Sequence, residues 1–551
     1  MNICRPIALA AAAAAAVSAF TACDKKNKMT ASVPIIVESV SDPTTEPATT
    51  LPVETYPDYP VTYPEIEKQT AGNLYEAENG ELKGGAIAAF DLPEFSGDGY
   101  VTGFGSEGKA SVAFDIDVPS NQHYDLSFNI SSEKAVDCRI TLGGQQLTVF
   151  KTNDSGKFTY ITLYGVFLTK GMQKLEITPE NGDMCLDYLK IENNTSLSDI
   201  SYDAKGELVN KNAGESAKEL MSFLSENYGK HMITGQYASD GDNSELDLIY
   251  RTTGKYPVIR FSNTDVPDES FDESFKEIDA AAEWYLNGGI SCLSWYWSSP
   301  SDTKSSIHTE ETDFDISKAV TSQKLAELTE EEIRELYSKG DISKECYGII
   351  LDIDNMAGQL TSLKNRGVPV LWRPLPEGCG NWFWWGAKGE KPYKWLWQLI
   401  YDRFTKYFEL DNLIWVWNGQ SESSMVDRRT FDIASVDLYL SSEKDYGHRY
   451  YEEFAAVQKF VGTDKILAIS ECGSVPDMDA AFRDNAVWSF FGVWYGKYVQ
   501  TETGEYNEEF TGKDALIRAY NSDGALTLDK YKKLRGFDEP ATEEKKEEKD
   551  E

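Results

Sequence analysis

Residues 368–377 read VPVLWRPLPE, an apolar run with one interior charge, Arg373, that ends on an acid. Continuous apolarity without alternation is what a strand needs when both of its faces are covered. Seven other runs share the pattern: HMITGQY (231–237), YPVIRFSN (256–263), GGISCLSWYW (288–297), LIWVWNG (413–419), IASVDLYL (433–440), KILAISECG (465–473) and WSFFGVWYG (488–496). Helix-period segments such as DESFKEIDAAAEWYL (272–286) lie between them. Such strand–helix units, repeated over residues 199–536, predict an α/β fold, the (β/α)8 TIM barrel.

In that fold the chemistry sits at the C-terminal ends of the strands. Glu377 closes the fourth expected strand and Glu471 the seventh. A single strand-end glutamate is more often a structural hydrogen-bonder. A glycosidase, however, needs two carboxyl groups flanking one bond, one as acid/base and one as nucleophile or base. Glu377 is trailed by Trp382, Phe383, Trp384 and Trp385, and all thirteen tryptophans lie between Trp284 and Trp494. Trp295, Trp297, Trp417 and Trp494 fall at expected strand ends. Aromatic residues fill cores, but they also line ligand clefts, where flat rings stack on sugars. Their sorting to one end of the strands favours a saccharide cleft over plain packing.

The 551 residues include 53 basic and 91 acidic side chains, a formal charge of −38. Nucleic acid and anionic membrane surfaces repel such a chain, whereas a neutral polysaccharide does not. Residues 1–23 combine Arg5, an Ala-rich run and small residues before Cys23. They are expected to be a lipoprotein-type signal peptide, leaving Cys23 as the lipidated first residue of a bacterial cell-surface protein. Residues 24–72 are Thr/Pro-rich, an expected extended and solvated tether, and residues 537–551 a charged, disordered tail. Between 73 and 195, short alternating segments such as SVAFDIDV and HYDLSFNI are split by Gly, Asn and Asp, which predicts an all-β sandwich. No cysteine spacing suggests zinc, and Cys138 and Cys185 could pair in an exported chain.

Residues 370–386, VLWRPLPEGCGNWFWWG, resemble the acid/base segment of glycoside hydrolase family 26, the β-mannanase family, in which RP-x-HE precedes G-x-W-F-W-W-G. ISECGSVPDMDAAFRDNAVWSFFGVWYG (469–496) is similar to its nucleophile strand and the segment after it, and GGISCLSWYW and LIWVWNGQ match its third and fifth strands. The resemblance implies an endo-β-1,4-mannanase working without a catalytic cofactor on mannan, galactomannan or glucomannan. It implies a retaining mechanism with Glu377 as acid/base and Glu471 as nucleophile, their carboxyls roughly 5–5.5 Å apart. Trp382 matches an aromatic residue just beyond the cleaved bond, and Tyr439 a tyrosine that hydrogen-bonds the nucleophile, with Asp437 on the same strand face. Arg373 is the RP arginine, expected to order carboxylates by bidentate pairing, and Trp494 is matched to the floor beneath the −1 sugar. Pro376 and Tyr296 stand where the family has histidines, and SESSMVDRRTF (421–431) replaces an aromatic–Pro–Gly–Asp run, so glycan choice is less fixed than reaction type.

The sandwich segments NLYEAENGEL, FSGDGYVTGF and CLDYLKIEN resemble a family 35 carbohydrate-binding module. That likeness implies a structural calcium ion on Glu76, Glu78 and Asp187, oxygen ligands of the hard type calcium takes. The plain alternative is a solvated acidic strand. Two other functions stay open: the same machinery turned to xylan or mixed-linkage β-glucan, and a non-catalytic surface glycan binder.

Overall fold

The computed structural model describes residues 53–61, 72–194, 200–265, 271–439 and 450–536. The expected signal peptide, Cys23, most of the expected tether and the expected tail lie outside the described residues.

Eight parallel strands close a barrel in chain order: β1 (Gly235–Tyr237), β2 (Ile259–Thr264), β3 (Ile290–Trp295), β4 (Val370–Pro374), β5 (Leu413–Trp417), β6 (Ile433–Leu438), β7 (Ile466–Cys472) and β8 (Phe491–Val493). Each apolar run supplies one of them. All eight strands are shorter than the runs read from the sequence, two of them for a clear local reason. In 231–237 the strand breaks at Thr234, whose N–H and hydroxyl both bond the Leu526 carbonyl. Met232–Ile233 therefore pairs with Ala525–Leu526 outside the barrel, and only Gly235–Tyr237 joins it. β4 stops at Pro374 rather than Glu377, because Leu375 and Glu377 take positive φ angles of 54° and 51°.

Side chains alternate along each strand between the barrel interior and the helix layer. The outward tryptophans of β3–β5 fill that layer. Trp415 lies 5.9 Å from Trp397 and 4.9 Å from Tyr401 on helix Glu390–Asp402, and Trp372 lies 6.0 Å from Phe404. The inward positions near the strand ends are polar, and they build the site described below.

Residues 72–193 form two antiparallel sheets packed as a sandwich around a core that includes Tyr124, Leu126 and Phe128. Those three alternate with outward His123, Asp125 and Ser127 on strand Gln122–Ser131, the pattern of a half-buried strand. Cys138 and Cys185 are free thiols, contrary to the pairing considered above; Cys138 packs on Met184 with sulfurs 3.5 Å apart. Within the expected tether, residues 53–61 are exposed or half-buried and touch the barrel at Tyr59. Tyr59 exchanges backbone hydrogen bonds with Asn521 and Asp523 at 2.8 and 2.9 Å, and the Arg518 guanidinium lies 5.4 Å from its ring.

Candidate active site

Arg373, the one charge within β4, projects inward and is fully buried. A buried guanidinium is tolerable only where its donors find acceptors. Its Nη1 donates to Glu471 Oε1 at 2.6 Å and its Nη2 pairs with Asp437. It thus orders two carboxylates on neighbouring strands, one with each arm. The strands permit this because a register shift in the β6–β7 pair sets Asp437 directly opposite Glu471.

Glu471 collects further donors. Tyr296, just past β3, bonds Oε1, and Tyr439, just past β6, bonds Oε2 at 3.1 Å. Burial, then the charge of Glu471, pushes both phenols well above their usual range, so they stay protonated and donate. Glu471 is thus an acceptor surrounded by a guanidinium and two hydroxyl donors.

Glu377 meets the opposite environment. Burial, reinforced by the charge of Glu471, raises its pKa to about 7, against the pull of a bond from Trp382 and the charge of Arg373. The Trp382 indole N–H donates to Glu377 Oε2 at 2.5 Å. The residue sits in a tight turn, Leu375–Pro376–Glu377, with two left-handed non-glycine residues, a conformation that costs about 1–3 kcal/mol each and persists only where surroundings enforce it. Gly378 lets the turn close: a Cβ there would lie 2.1 Å from the Tyr393 ring. Glu471 is placed to accept from a cation and hydroxyls while burial favours the protonated form of Glu377, the contrast that acid-assisted displacement requires.

The expected residues therefore gather, with two revisions of role. Tyr296 touches Glu471 directly, and Trp382 touches Glu377. Trp494 packs 4.6 Å from Tyr237 and 5.8 Å from Tyr296, beside the carboxylates. The tryptophan sorting has a different cause from the one inferred. Trp295, Trp297, Trp384, Trp385 and Trp417 are fully buried, so most of these rings are core, and Trp382 and Trp494 are the partly exposed ones at the site. Sequence reading also missed Tyr237, Ser294, Asn418 and Gln420. Tyr237 and Ser294 contact Arg373 Nη1 at 3.1 and 3.2 Å, and Asn418 bonds Nη2 at 2.9 Å. Asn418 and Gln420 lie inside WNGQ, and only their position at a strand end could have drawn notice.

In the sandwich, the Ser96 hydroxyl bonds Glu76 at 2.7 Å and Asp187 at 3.3 Å, and the Asp98 N–H bonds Glu78 at 3.0 Å. Burial and the neighbouring charges of Glu78 and Asp187 raise the Glu76 pKa, opposed by the Ser96 bond. Glu78 Oε2 is buried without a hydrogen-bond partner. Among the described residues, no group of three His, Cys, Asp or Glu side chains is arranged to hold a metal ion. Glu76, Glu78 and Asp187 are thus neighbours with an orphaned oxygen, but Ser96 stands among them.

The family model for glycosyl hydrolase family 26 matches residues 209–518, the span that contains the barrel and every residue of this site. The chain belongs to glycosyl hydrolase family 26. Its enzyme class, glycoside hydrolase, follows. Among curated relatives, mannan endo-1,4-beta-mannosidase B of Piromyces sp is 31% identical over 462 residues, 80% of this chain and 76% of that protein. A mannan endo-1,4-beta-mannosidase of Thermothelomyces thermophilus is 30% identical over 484 residues, 85% of this chain and 92% of that one. Among solved structures of the family, a GH26-CBM35 beta-(1,4)-mannanase of Podospora anserina superposes with a TM-score of 0.56 at 29% identity, covering 84% of this chain and 99% of that one.

Proposed function

We propose that this family 26 enzyme is an endo-β-1,4-mannanase that cleaves mannan, galactomannan or glucomannan with retention of configuration. The observation that carries the mechanism is the contrast between its two carboxyls: Glu471 ringed by Arg373, Tyr296 and Tyr439, and Glu377 raised to about 7. Glu377 gives its proton to the glycosidic oxygen as the bond to the anomeric carbon breaks, and Glu471 attacks that carbon to form a glycosyl ester. Glu377, now a carboxylate, then takes a proton from water as that water displaces Glu471. Asp437 balances the second arm of Arg373, Trp382 orients Glu377, and Trp494 offers a ring face to the sugar held between them. The names of the relatives support mannan as the substrate, and the lost histidines at Pro376 and Tyr296 leave the family's machinery altered at the same place.

The sandwich is proposed to be a family 35-like carbohydrate-binding module. Its Glu76, Glu78 and Asp187 would hold a calcium ion, with Ser96 giving way and the orphaned Glu78 oxygen supplying a ligand; the ion would neutralise clustered acids and brace the fold. The leader supports export with lipidation at Cys23 and a place on the cell surface. One experiment tests the central reading: purified protein on a panel of mannan, xylan and mixed-linkage β-glucan, with proton NMR of the first-formed anomer. Mannan cleavage releasing the β-anomer first is expected. Cleavage of glucan or xylan alone overturns the substrate, the α-anomer first overturns retention, and binding without product overturns catalysis.

A further inference from the structure

Asn418 lies immediately after β5 and is fully buried. Its side-chain oxygen accepts from two donors at once, the backbone N–H of Glu377 at 2.6 Å and Arg373 Nη2 at 2.9 Å. Its side-chain nitrogen faces only acceptors or a hydroxyl: Asp437 Oδ1 at 3.2 Å, the Ser435 carbonyl at 3.2 Å and Ser470 Oγ at 3.0 Å. Neither a guanidinium nor a backbone N–H can accept, so the amide has one permitted orientation. The main chain of Asn418 adds a second grip, its carbonyl accepting the Gly378 N–H at 3.1 Å. Two consecutive N–H groups of the acid/base turn are therefore tied to one residue, at the place where Leu375 and Glu377 are left-handed.

We infer that Asn418 is the positioning residue of this enzyme, setting Glu377 against Glu471 by holding the acid/base turn and the nucleophile's arginine through a single amide oxygen. The inference rests on the roles proposed for the two glutamates. Arg373 also binds Glu471, so the amide links both carboxyls through two hydrogen bonds and one ion pair. Removing the side chain frees the turn to relax from its strained angles. Glu377 then moves toward water and loses part of the burial that raises its pKa.

The test uses the full-length enzyme and three variants: Asn418→Ala, Asn418→Asp and Glu377→Ala. Each is measured on mannan and on aryl β-mannosides with good and poor leaving groups, over a pH series. Asn418→Ala is expected to lower kcat on mannan about 100-fold, the smaller end of what a general acid supplies, with KM little changed. It should spare the best leaving groups and shift the basic limb of the pH profile to lower pH. Asn418→Asp keeps the accepting oxygen and, while protonated, a hydroxyl donor; once ionised it loses the donor and gains a negative charge. It should retain more activity than Asn418→Ala at low pH and lose that advantage as its own charge meets Asp437. This variant carries the test if Asn418→Ala does not fold by circular dichroism. An Asn418→Ala enzyme with the parent's leaving-group dependence and pH limb overturns the inference, as do equal losses in both Asn418 variants at every pH. If Glu377→Ala shows no preference for good leaving groups, the acid/base assignment itself has failed, a result distinct from failure of Asn418 alone.

Discussion

At the scale of single residues, the site turns on how differently two buried glutamates are solvated by protein. Glu377 carries a pKa raised from 4.5 to about 7, chiefly by burial. It is the protonated form that works as an acid, so activity should fall as pH rises through about 7. The same shift has a stability consequence whose sign is fixed. A carboxyl that binds its proton more tightly folded than unfolded favours the fold at low pH, and that stability is lost as pH rises from the unfolded value of 4.5 through about 7. Glu377→Gln mimics the neutral form, so thermal melting should show stabilisation relative to the parent at pH 8, about 3 kcal/mol, and little difference at about pH 4. An equal effect at both pH values would show that Glu377 is not charged and buried as described. Tyr296 has replaced a family histidine, yet its hydroxyl reaches Glu471. Tyr296→Phe should reduce kcat/KM about 10- to 100-fold, roughly 1.4–2.7 kcal/mol, the scale of one hydrogen bond to a charged group. A kinetically silent Tyr296→Phe would make the tyrosine packing only. Pro376→His alone should bring no gain, because the partner histidine is also absent.

At the scale of elements, the segment after β4 does two jobs with one aromatic cluster. Trp384 and Trp385 are fully buried, and their indole N–H groups bond the Trp297 and Pro376 carbonyls at 2.7 and 2.8 Å. They brace the strand-end loops from behind. Trp382 is partly exposed and bonds Glu377. The two kinds of tryptophan should part under mutation. Trp384→Ala is expected to cost about 3–5 kcal/mol of stability, the range for emptying a buried aromatic site. Trp382→Ala should leave the melting temperature within a few degrees while lowering kcat/KM. Urea unfolding and mannan kinetics on both variants check this; a destabilised Trp382→Ala with parental activity would reverse the assignment. Sequence alone could not make the distinction, since WFWW reads the same whether a ring faces core or cleft. The turn geometry of Pro376–Gly380 decides which ring points where.

At the scale of the whole molecule, a sandwich and a barrel share one chain, with residues 53–61 docked on the barrel through Tyr59. If Glu76, Glu78 and Asp187 hold calcium, a chelator should lower the melting temperature of the sandwich, because an ion bound only to the folded state stabilises it. Calorimetry with and without EDTA reads this, and an unmoved transition would remove the ion from the account. The barrel was legible in the sequence because strands covered on both faces must be apolar throughout, and eight such runs leave few other folds. Glu377 and Glu471 were legible for a related reason: a charge closing an apolar run must have a use or a partner. The sequence likewise specified the alternation of the sandwich strands, a local property. What it could not contain was anything that depends on approach between distant segments. The opposition of Asp437 and Glu471 comes from a register shift, the amide of Asn418 reaches a turn forty-one residues earlier, and the tryptophans divide between core and cleft only once helices cover the strands. Burial and partner geometry are properties of the closed barrel, and they alone decide which carboxyl keeps its proton.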